Sequence, residues 1–533
     1  MVGAVFVFCS GCALRRGCTE QFSMEIAHTN DIHAQVEPFN KYFQPCSSED
    51  KIANNCFGGM ARVITAVKKL KEANPDLILV DAGDIAQGSF YFRIYKEKLA
   101  SWYINQIGYD ALTFGNHDFD EGAQYVVDMA SLIHAPYVSA NIDASKNAEI
   151  DPLIKPYVIL EREGQKIGVI GAITEEAANL MPNMKGLVIL PLIESIQKQV
   201  NELEAQGVNK IVLISHVGLG VDRELARELS GLDVIVGGHT HSLLSNNDSK
   251  AEGPYPIIEK SARGEPVAVV TDYSRANYIG KLRAYFDNNG VLKDARGEPI
   301  VIDALYCEDE QAASKIHPWK ETLKPYYEKV VGEAQDAFIV ANDICRLEEC
   351  SAGNMLADVL MWAAKDSKPD FAVINGGSIR STISQGPITL AAVYEALPFQ
   401  STVSTFKLNG TDVLEMLEVG VSRSESKQND GTGRFLQVSG LQFSWDANRP
   451  AGQRIGNVLV AASSGKFVPL DKNKIYSVAS VDFIRRGGDG FDILKERAIE
   501  PYDFGPVLSE AFIAYLESHP KISAKLERRI TKY

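Results

Sequence analysis

The chain has 533 residues, more than one hydrophobic core supports, so at least two domains are expected. With 45% hydrophobic and 23% charged residues it is neither a disordered polyelectrolyte nor a multi-span membrane protein. Fifty-four Lys plus Arg against 69 Asp plus Glu give a net charge of −15, which argues against a nucleic-acid polymer as partner but leaves room for a small anion held by a few convergent arginines.

Residues 1–23 read as a leader. Val2 to Phe8 is apolar but too short to span a bilayer, and Ser10-Gly11-Cys12 is a loose lipobox-like match. An export signal, with a lipid anchor at Cys12 as the one route to a membrane, is expected; a disordered tail is the plain alternative. From Met24 onward, short apolar runs alternate with amphipathic segments. Met24 to Ala27, Leu77 to Val80, Ala111 to Phe114, Lys166 to Ile173, Lys210 to Ile214 and Leu232 to Val236 are predicted strands, and Gly59 to Ala73 and Leu192 to Gln206 predicted helices. Continuous apolar strands separated by helices indicate a sheet covered on both faces, an α/β layered domain over 24–307. Glu308 to Val331 is charged and of helical period, interrupted by Pro318 and Pro325, and is predicted to be an interdomain helix kinked at those prolines. A second unit, 332–533, has apolar strands at Phe371 to Ile374 and Ile475 to Ala479, and its polar loop Ser422 to Gly433 is expected to be mobile. No apolar stretch closes the C-terminus, so no transmembrane or glycolipid tail is expected there.

Cysteines Cys9, Cys12 and Cys18 fall in the leader. Cys46 and Cys56 are ten apart in one polar loop, and Cys345 and Cys350 five apart in another, so two local disulfides in an exported protein are the economical reading. A zinc knuckle would want closer C-x-x-C pairs. Cys307 is left single.

Polar residues suited to metal binding follow the apolar strands. Asp31-Ile32-His33 comes after the first, Asp81-Ala82-Gly83-Asp84 after the second, and Gly115-Asn116-His117-Asp118-Phe119-Asp120 after the third; two later strands lead to Ser215-His216 and Gly237-Gly238-His239-Thr240-His241. In open α/β sheets, ligands bind in the crevice at the carboxyl ends of the strands. Any one of these residues reads equally well as a turn former or a satisfied hydrogen-bonder. Together they do not: of nine histidines, His33, His117, His216, His239 and His241 all lie in these loops. Carboxylate, imidazole and amide ligands in excess of four suit two divalent ions with one bridging carboxylate, an arrangement that clamps a phosphoryl group and generates a nucleophile from water near neutral pH. His117 directly follows Asn116, so the two side chains serve one ion poorly; His117 is better cast as a non-ligand that stabilises the transition state or protonates the leaving alkoxide, with Asp120 orienting it.

These motifs resemble the calcineurin-like metallophosphoesterases. Cys345-Arg346-Leu347-Glu348-Glu349-Cys350, Asn375-Gly376-Gly377-Ser378-Ile379-Arg380, Leu397-Pro398-Phe399, Phe435-Leu436-Gln437-Val438-Ser439-Gly440 and Gly487-Gly488-Asp489-Gly490-Phe491 resemble the C-terminal domain of the 5′-nucleotidases, ecto- and periplasmic members among them. The likeness runs from Met24 to the end, with Ser378 standing where relatives often have Gly. It implies an N-terminal layered β-sandwich flanked by helices, joined by a helix to a second α/β domain that binds substrate. It further implies that Asp31, His33 and His241 hold one ion, that Asn116, His216 and His239 hold the other, and that Asp84 bridges. His117 and Asp120 would form the catalytic dyad, and Arg346 and Arg380 would bind phosphate. Asn375 and Asp489 would hydrogen-bond base or ribose, Gly377 would belong to the same substrate site, and Phe399 and Phe483 would sandwich the base. Taken alone, the two phenylalanines read as ordinary core.

The activity implied is dimetal-dependent hydrolysis of nucleoside 5′-monophosphates, with zinc as the expected metal and manganese or cobalt as alternatives. Relatives open and close the cleft by rotation about the interdomain helix. Competing readings are a UDP-sugar or NAD pyrophosphatase and a 2′,3′-cyclic-nucleotide phosphodiesterase of the same family. A non-catalytic nucleotide-binding surface protein is disfavoured, because no ligand position and no His117 is missing. The compartment expected is periplasm, cell envelope or exterior. Preferred base and oligomeric state are not encoded in any motif.

Overall fold

The computed structural model describes residues 22–40, 46, 48–175, 177, 186–423, 432–462 and 464–533; the leader up to residue 21 and positions 424–431 of the polar loop lie outside them. The strands that deliver the site are β1 (Ser23–Thr29), β2 (Ile78–Asp81), β3 (Ala111–Leu112), β4 (Gln165–Ile173), β5 (Ile211–His216), β6 (Val234–Gly237), β7 (Pro266–Val270) and β8 (Tyr278–Phe286). Every predicted strand of the first half is present. The single covered sheet is corrected to two sheets stacked face to face. β1, β2 and β3 run parallel in an eight-stranded sheet, with β8 antiparallel on the far side of β1. β4 to β7 form the parallel centre of a six-stranded sheet.

Side-chain alternation along the strands explains the stacking. Met24 and Ile26 of β1 and Ile78 and Val80 of β2 pack against Ile211, Leu213, Val234 and Val236 of the second sheet. Their odd neighbours Ala27 and Leu79 turn the other way, onto α1 (Met60–Ala73), through Val63, Ile64 and Val67. The second sheet is covered outside by α2 (Leu192–Ala205) through Ile196, Val200 and Leu203. Strands buried on both faces read as unbroken apolar runs, and each fully buried Ile, Leu or Val contributes about 1.5–3 kcal/mol relative to exposure. The result is the β-sandwich flanked by helices that the resemblance implies.

α3 (Glu310–Glu328) follows, started by the Asp309 side chain, which accepts from the Ala312 N–H at 3.0 Å. It continues as one helix through Pro318 and Pro325. It stops short of the predicted end: Val330–Ala334 is a strand paired with Gly386–Thr389, and the β-branched Val330-Val331 followed by Gly332 suits that pairing better than a helix. The second half has its own core, around β9 (Phe371–Asn375), β10 (Val403–Asn409), β11 (Leu436–Ser439) and β12 (Ile475–Val481), in the order β11–β9–β12–β10. The halves meet at α4 (Leu390–Ala396). There Tyr394 stacks on Phe90 with ring centroids 5.5 Å apart and carries the Arg93 guanidinium over its face at 4.0 Å, and Tyr327 of α3 donates to Glu395 at 2.8 Å. Both expected disulfides, Cys46–Cys56 and Cys345–Cys350, are formed, and Cys307 is a free, exposed thiol. No helix among the described residues is long and apolar enough to cross a membrane.

Candidate active site

The carboxyl ends of β1, β2, β5 and β6 open onto one edge of the sandwich, where two groupings of donor atoms form. One joins Asp31, His33 and His241, the other Asp31, Asp84 and His216, with the atoms of each within 4.8 Å of one another. Asp31 Oδ1 is 3.2 Å from His241 Nε2 and 3.9 Å from both His33 Nε2 and His216 Nε2. Asp84 Oδ2 lies 3.2 Å from His216 Nε2 and 3.7 Å from His33 Nε2. Asp31 is thus the carboxylate common to both groupings, whereas the resemblance casts Asp84 as the bridge. Asn116 and His239 line the same cleft, and the His239 ring sits 5.1 Å from that of His216.

The loops are shaped to hold these atoms. Asp31, His33, Asp84, His239 and His241 all adopt left-handed φ, at 50°, 50°, 58°, 80° and 53°. Non-glycine residues there store about 1–3 kcal/mol each and persist only where neighbours over-determine them. Here the Asp31 N–H donates to the Gly83 carbonyl and the His33 N–H to the Asp84 carbonyl, both at 2.9 Å. Gly115 is required by close approach: a Cβ there would fall 2.0 Å from Asp84 Oδ1. His216 Nδ1 donates to the Ala82 carbonyl at 2.7 Å, which turns Nε2 toward the carboxylates.

Charge and hydrogen bonding both fit divalent cations. Burial raises the carboxyls of Asp31 and Asp84, but His241 and His216 for the first, and His216 and His117 for the second, outweigh it and hold both below the ordinary carboxylate range. Burial, reinforced by Arg380, pushes His33 well below its usual value; burial only partly offset by Asp31 takes His241 down to about 4. Burial also opposes a charge on His216, yet Asp84 and Asp31 overcome it and raise this imidazole to about 10. A proton at His216 is therefore held by two buried carboxylates that a cation would neutralise in its place. Asn116 Oδ1 is buried without a hydrogen-bond partner, and Asp31 Oδ1 and His216 Nε2 are buried with ionic neighbours at 3.2 Å but no aligned hydrogen bond. Such atoms cost about 1–3 kcal/mol each unless something accepts their lone pairs.

His117 stands beside the cluster on a short 3₁₀ turn, Asn116–Phe119, with Nδ1 2.9 Å from Asp120 Oδ2. Burial works against its charge, but Asp120 and Asp84 prevail and raise it above the usual imidazole value. Its ring stacks on Phe399 at 5.0 Å.

The opposite wall comes from the second half, across a cleft of about 460 Å³ lined by Arg346, Asn375, Gly377, Arg380, Phe399, Phe483 and Asp489. This lies within the range of small-molecule sites. A larger cavity of about 630 Å³, where α3 meets both halves, contains none of the donor residues. Arg380 Nη2 reaches to 3.0 Å from His33 Nε2, and its guanidinium lies 5.7 Å from the Phe399 centroid. Burial and Arg380 lower Arg346 to about 10, leaving it charged at neutral pH. The Cys345–Cys350 disulfide closes the loop that presents Arg346. Asn375 Nδ2 donates to Asp489 Oδ2 at 2.7 Å, and Ser378 Oγ donates to Asn375 Oδ1 at 2.5 Å.

Sequence reasoning left four contributors without a role. Asn30 Nδ2 donates to Asp31 Oδ2 at 2.8 Å and fixes that carboxylate. Asp118 accepts from the backbone N–H groups of Gly115, Ala86 and Asp84 at 2.8, 2.8 and 3.2 Å, clamping the β2 and β3 loops together; burial and Asp84 raise it to about 7. Both lie inside the motifs that carry the metal-type residues, so adjacency could have found them. Arg434 and Arg486 join Arg346 and Arg380 in lining the cleft; Arg434 directly precedes the Phe435 to Gly440 motif, whereas Arg486 lies next to the Gly487-Gly488-Asp489 motif.

Residues 24–243 match the calcineurin-like phosphoesterase family model and residues 330–496 the 5′-nucleotidase C-terminal domain. A 5′-nucleotidase of Diplobatis ommata is 31% identical over 97% of this chain and 91% of its own. A snake venom 5′-nucleotidase of Gloydius brevicauda is 33% identical over 93% and 86%. The crystal structure of a 5′-nucleotidase precursor from Thermus thermophilus superimposes with a TM-score of 0.87 at 35% identity, covering 96% of this chain and 99% of that one. A calcineurin-like domain implies divalent metal ions, in agreement with the donor cluster and its acceptors that lack an aligned hydrogen bond. With a metallophosphoesterase domain facing a nucleotidase C-terminal domain across one cleft, the chain belongs to the 5′-nucleotidase family and is a phosphoric monoester hydrolase.

Proposed function

We propose that the protein is an exported, dimetal-dependent 5′-nucleotidase that converts nucleoside 5′-monophosphates to nucleoside and phosphate. The observation that carries this reading is the pairing, across one cleft, of a carboxylate–imidazole cluster, whose acceptors lack aligned hydrogen bonds, and a wall of arginines and aromatic rings. Asp31, His33 and His241 would hold one ion and Asn116, His216 and His239 the other, with Asp84, or Asp31 by its central position, shared between them. Bound there, two divalent ions polarise a phosphoryl oxygen and supply a nucleophilic water at neutral pH; the His-rich donor set favours zinc, with manganese or cobalt also suited.

The protein's own groups account for the remaining demands. Arg380 and Arg346 are placed to grip phosphate oxygens and to absorb the charge that builds up on them as the ester bond breaks. His117, whose charged form Asp120 and Asp84 favour against burial, is the proton donor to the departing 5′-oxygen. Phe399 and Phe483 offer faces to a purine or pyrimidine, and Asn375, Gly377 and Asp489 offer polar edges to base or ribose. The functional units are 24–307 for the metals and 332–533 for the nucleotide, and rotation about 308–331 opens the cleft between them. Two disulfides and a relative found in venom support export. The test is phosphate release from AMP, UDP-glucose, NAD and 2′,3′-cyclic AMP after chelation and add-back of single metals. Preference for a diphosphate or cyclic ester over AMP, or full turnover by metal-stripped protein, would overturn the reading.

A further inference from the structure

Arg275 belongs neither to the donor cluster nor to the cleft wall, yet it is buried, at 6% exposure, between the two halves of the molecule. It lies in the connection between β7 and β8, where Tyr273, Arg275 and Ala276 have φ of 82°, 57° and 52°. Three non-glycine residues in the left-handed region within four positions hold their shape only if neighbours fix them. The neighbours are the donor loops. Asn30 Oδ1 accepts from the Asp272 N–H at 3.0 Å, Asn30 Nδ2 donates to the Tyr273 carbonyl at 2.8 Å, and the Arg275 N–H donates to the carbonyl of Asp31 at 2.7 Å. From this anchored backbone the guanidinium crosses to the second half, where Nη2 donates to the carbonyl of Arg380 at 2.7 Å. The side chain of that same Arg380 is the one 3.0 Å from His33. A planar guanidinium is a stiffer strut than an ammonium, and burial together with Arg380 lowers Arg275 only to about 10, so it remains charged at neutral pH.

We propose that Arg275 is a positioning residue: by gripping the Arg380 carbonyl it sets the reach of the Arg380 guanidinium over the donor cluster, and with it the affinity of the cleft for a tetrahedral oxyanion. The inference rests on the reading of Arg380 as a phosphate-binding group. It is tested with the full chain by measuring inorganic phosphate affinity calorimetrically, AMP kinetics and metal content in Arg275→Met, Arg275→Lys, Arg380→Met and the Arg275→Met/Arg380→Met double variant. Arg275→Met weakens phosphate and raises KM for AMP about tenfold, the size expected for losing one charge-assisted hydrogen bond, with metal content held and any fall in kcat no larger than that of Arg380→Met. Arg275→Lys recovers part of the loss, since an ammonium still donates once. In the Arg380→Met background, Arg275→Met has no further effect. Unchanged phosphate affinity in Arg275→Met, additive losses in the double variant, or a loss that accompanies reduced metal content overturns the proposal. Should Arg275→Met not fold, Arg275→Lys alone and with Arg380→Met completes the same cycle. Phosphate binding unaltered by Arg380→Met overturns the assignment of Arg380 itself, and is distinguishable because it appears without any change at Arg275.

Discussion

Phe399→Ala removes a ring that the structure gives three neighbours: the cleft in front, the His117 imidazole stacked at 5.0 Å and the Arg380 guanidinium at 5.7 Å. These make different predictions. A base lost from its stacking platform costs about 1–3 kcal/mol, or roughly 5- to 150-fold in KM for AMP at 1.4 kcal/mol per tenfold. Loss of the contact to Arg380 costs about 0.5–1 kcal/mol, roughly 2- to 5-fold, and acts on any phosphate ester. AMP and ribose 5-phosphate assayed side by side therefore separate the two roles: KM for AMP rises by the larger factor, that for ribose 5-phosphate by the smaller, and kcat for ribose 5-phosphate is retained. Equal losses on both substrates would refute base stacking and make Phe399 a support for His117 and Arg380.

Asp84→Asn removes a charge from the centre of the donor cluster and leaves the His117 N–H, 2.9 Å from Oδ1, an acceptor of the same shape. Substitutions outside the ligand sphere already cost 10- to 100-fold in metalloenzymes, so a loss of roughly 100-fold or more is expected, together with reduced metal stoichiometry by elemental analysis; retained turnover counts against the cluster. Because Asp120 and Asp84 raise His117 against the effect of burial, the imidazolium persists to higher pH than an isolated histidine. Asp120→Asn lowers that pKa, so the alkaline limb of kcat moves to lower pH while the acid side stays active; a profile with an unmoved alkaline limb excludes His117 as the proton donor. Chelation abolishes turnover and lowers the melting temperature, since ions that bind only the folded state stabilise it. A melting curve indifferent to chelator and to added zinc would show that the cluster binds no structural equivalent of metal.

The strand ends were legible because their signal is local: an apolar run that stops at Asp, His or Asn marks a parallel strand reaching the edge of its sheet. β5 ends at His216, where its apolar run stops, and β1 stops two residues before Asp31. The disulfides were legible for the same reason, each joining cysteines within one loop. Left-handed backbone at Asp31, His33 and Asp84 was not, because even Asp and His, among the non-glycine types that enter it most readily, do so only where surrounding hydrogen bonds hold them. Nor did the periodicity reveal that the ligand-bearing strands belong to two sheets, since a strand covered on both faces has the same apolar pattern whether it faces a helix or another sheet.

What the amino-acid order determined by itself is which residues stand at the ends of which strands, and so the chemistry available to the site. Tertiary structure alone decided which of them meet: that Asp31 Oδ1 sits between three imidazoles, that Arg380 reaches His33 from 347 positions away, and that Arg275 ties the two halves. Backbone preference acts over a few residues, whereas the distance between side chains remote in sequence is fixed by how whole sheets and domains pack, and no short stretch of chain carries that information.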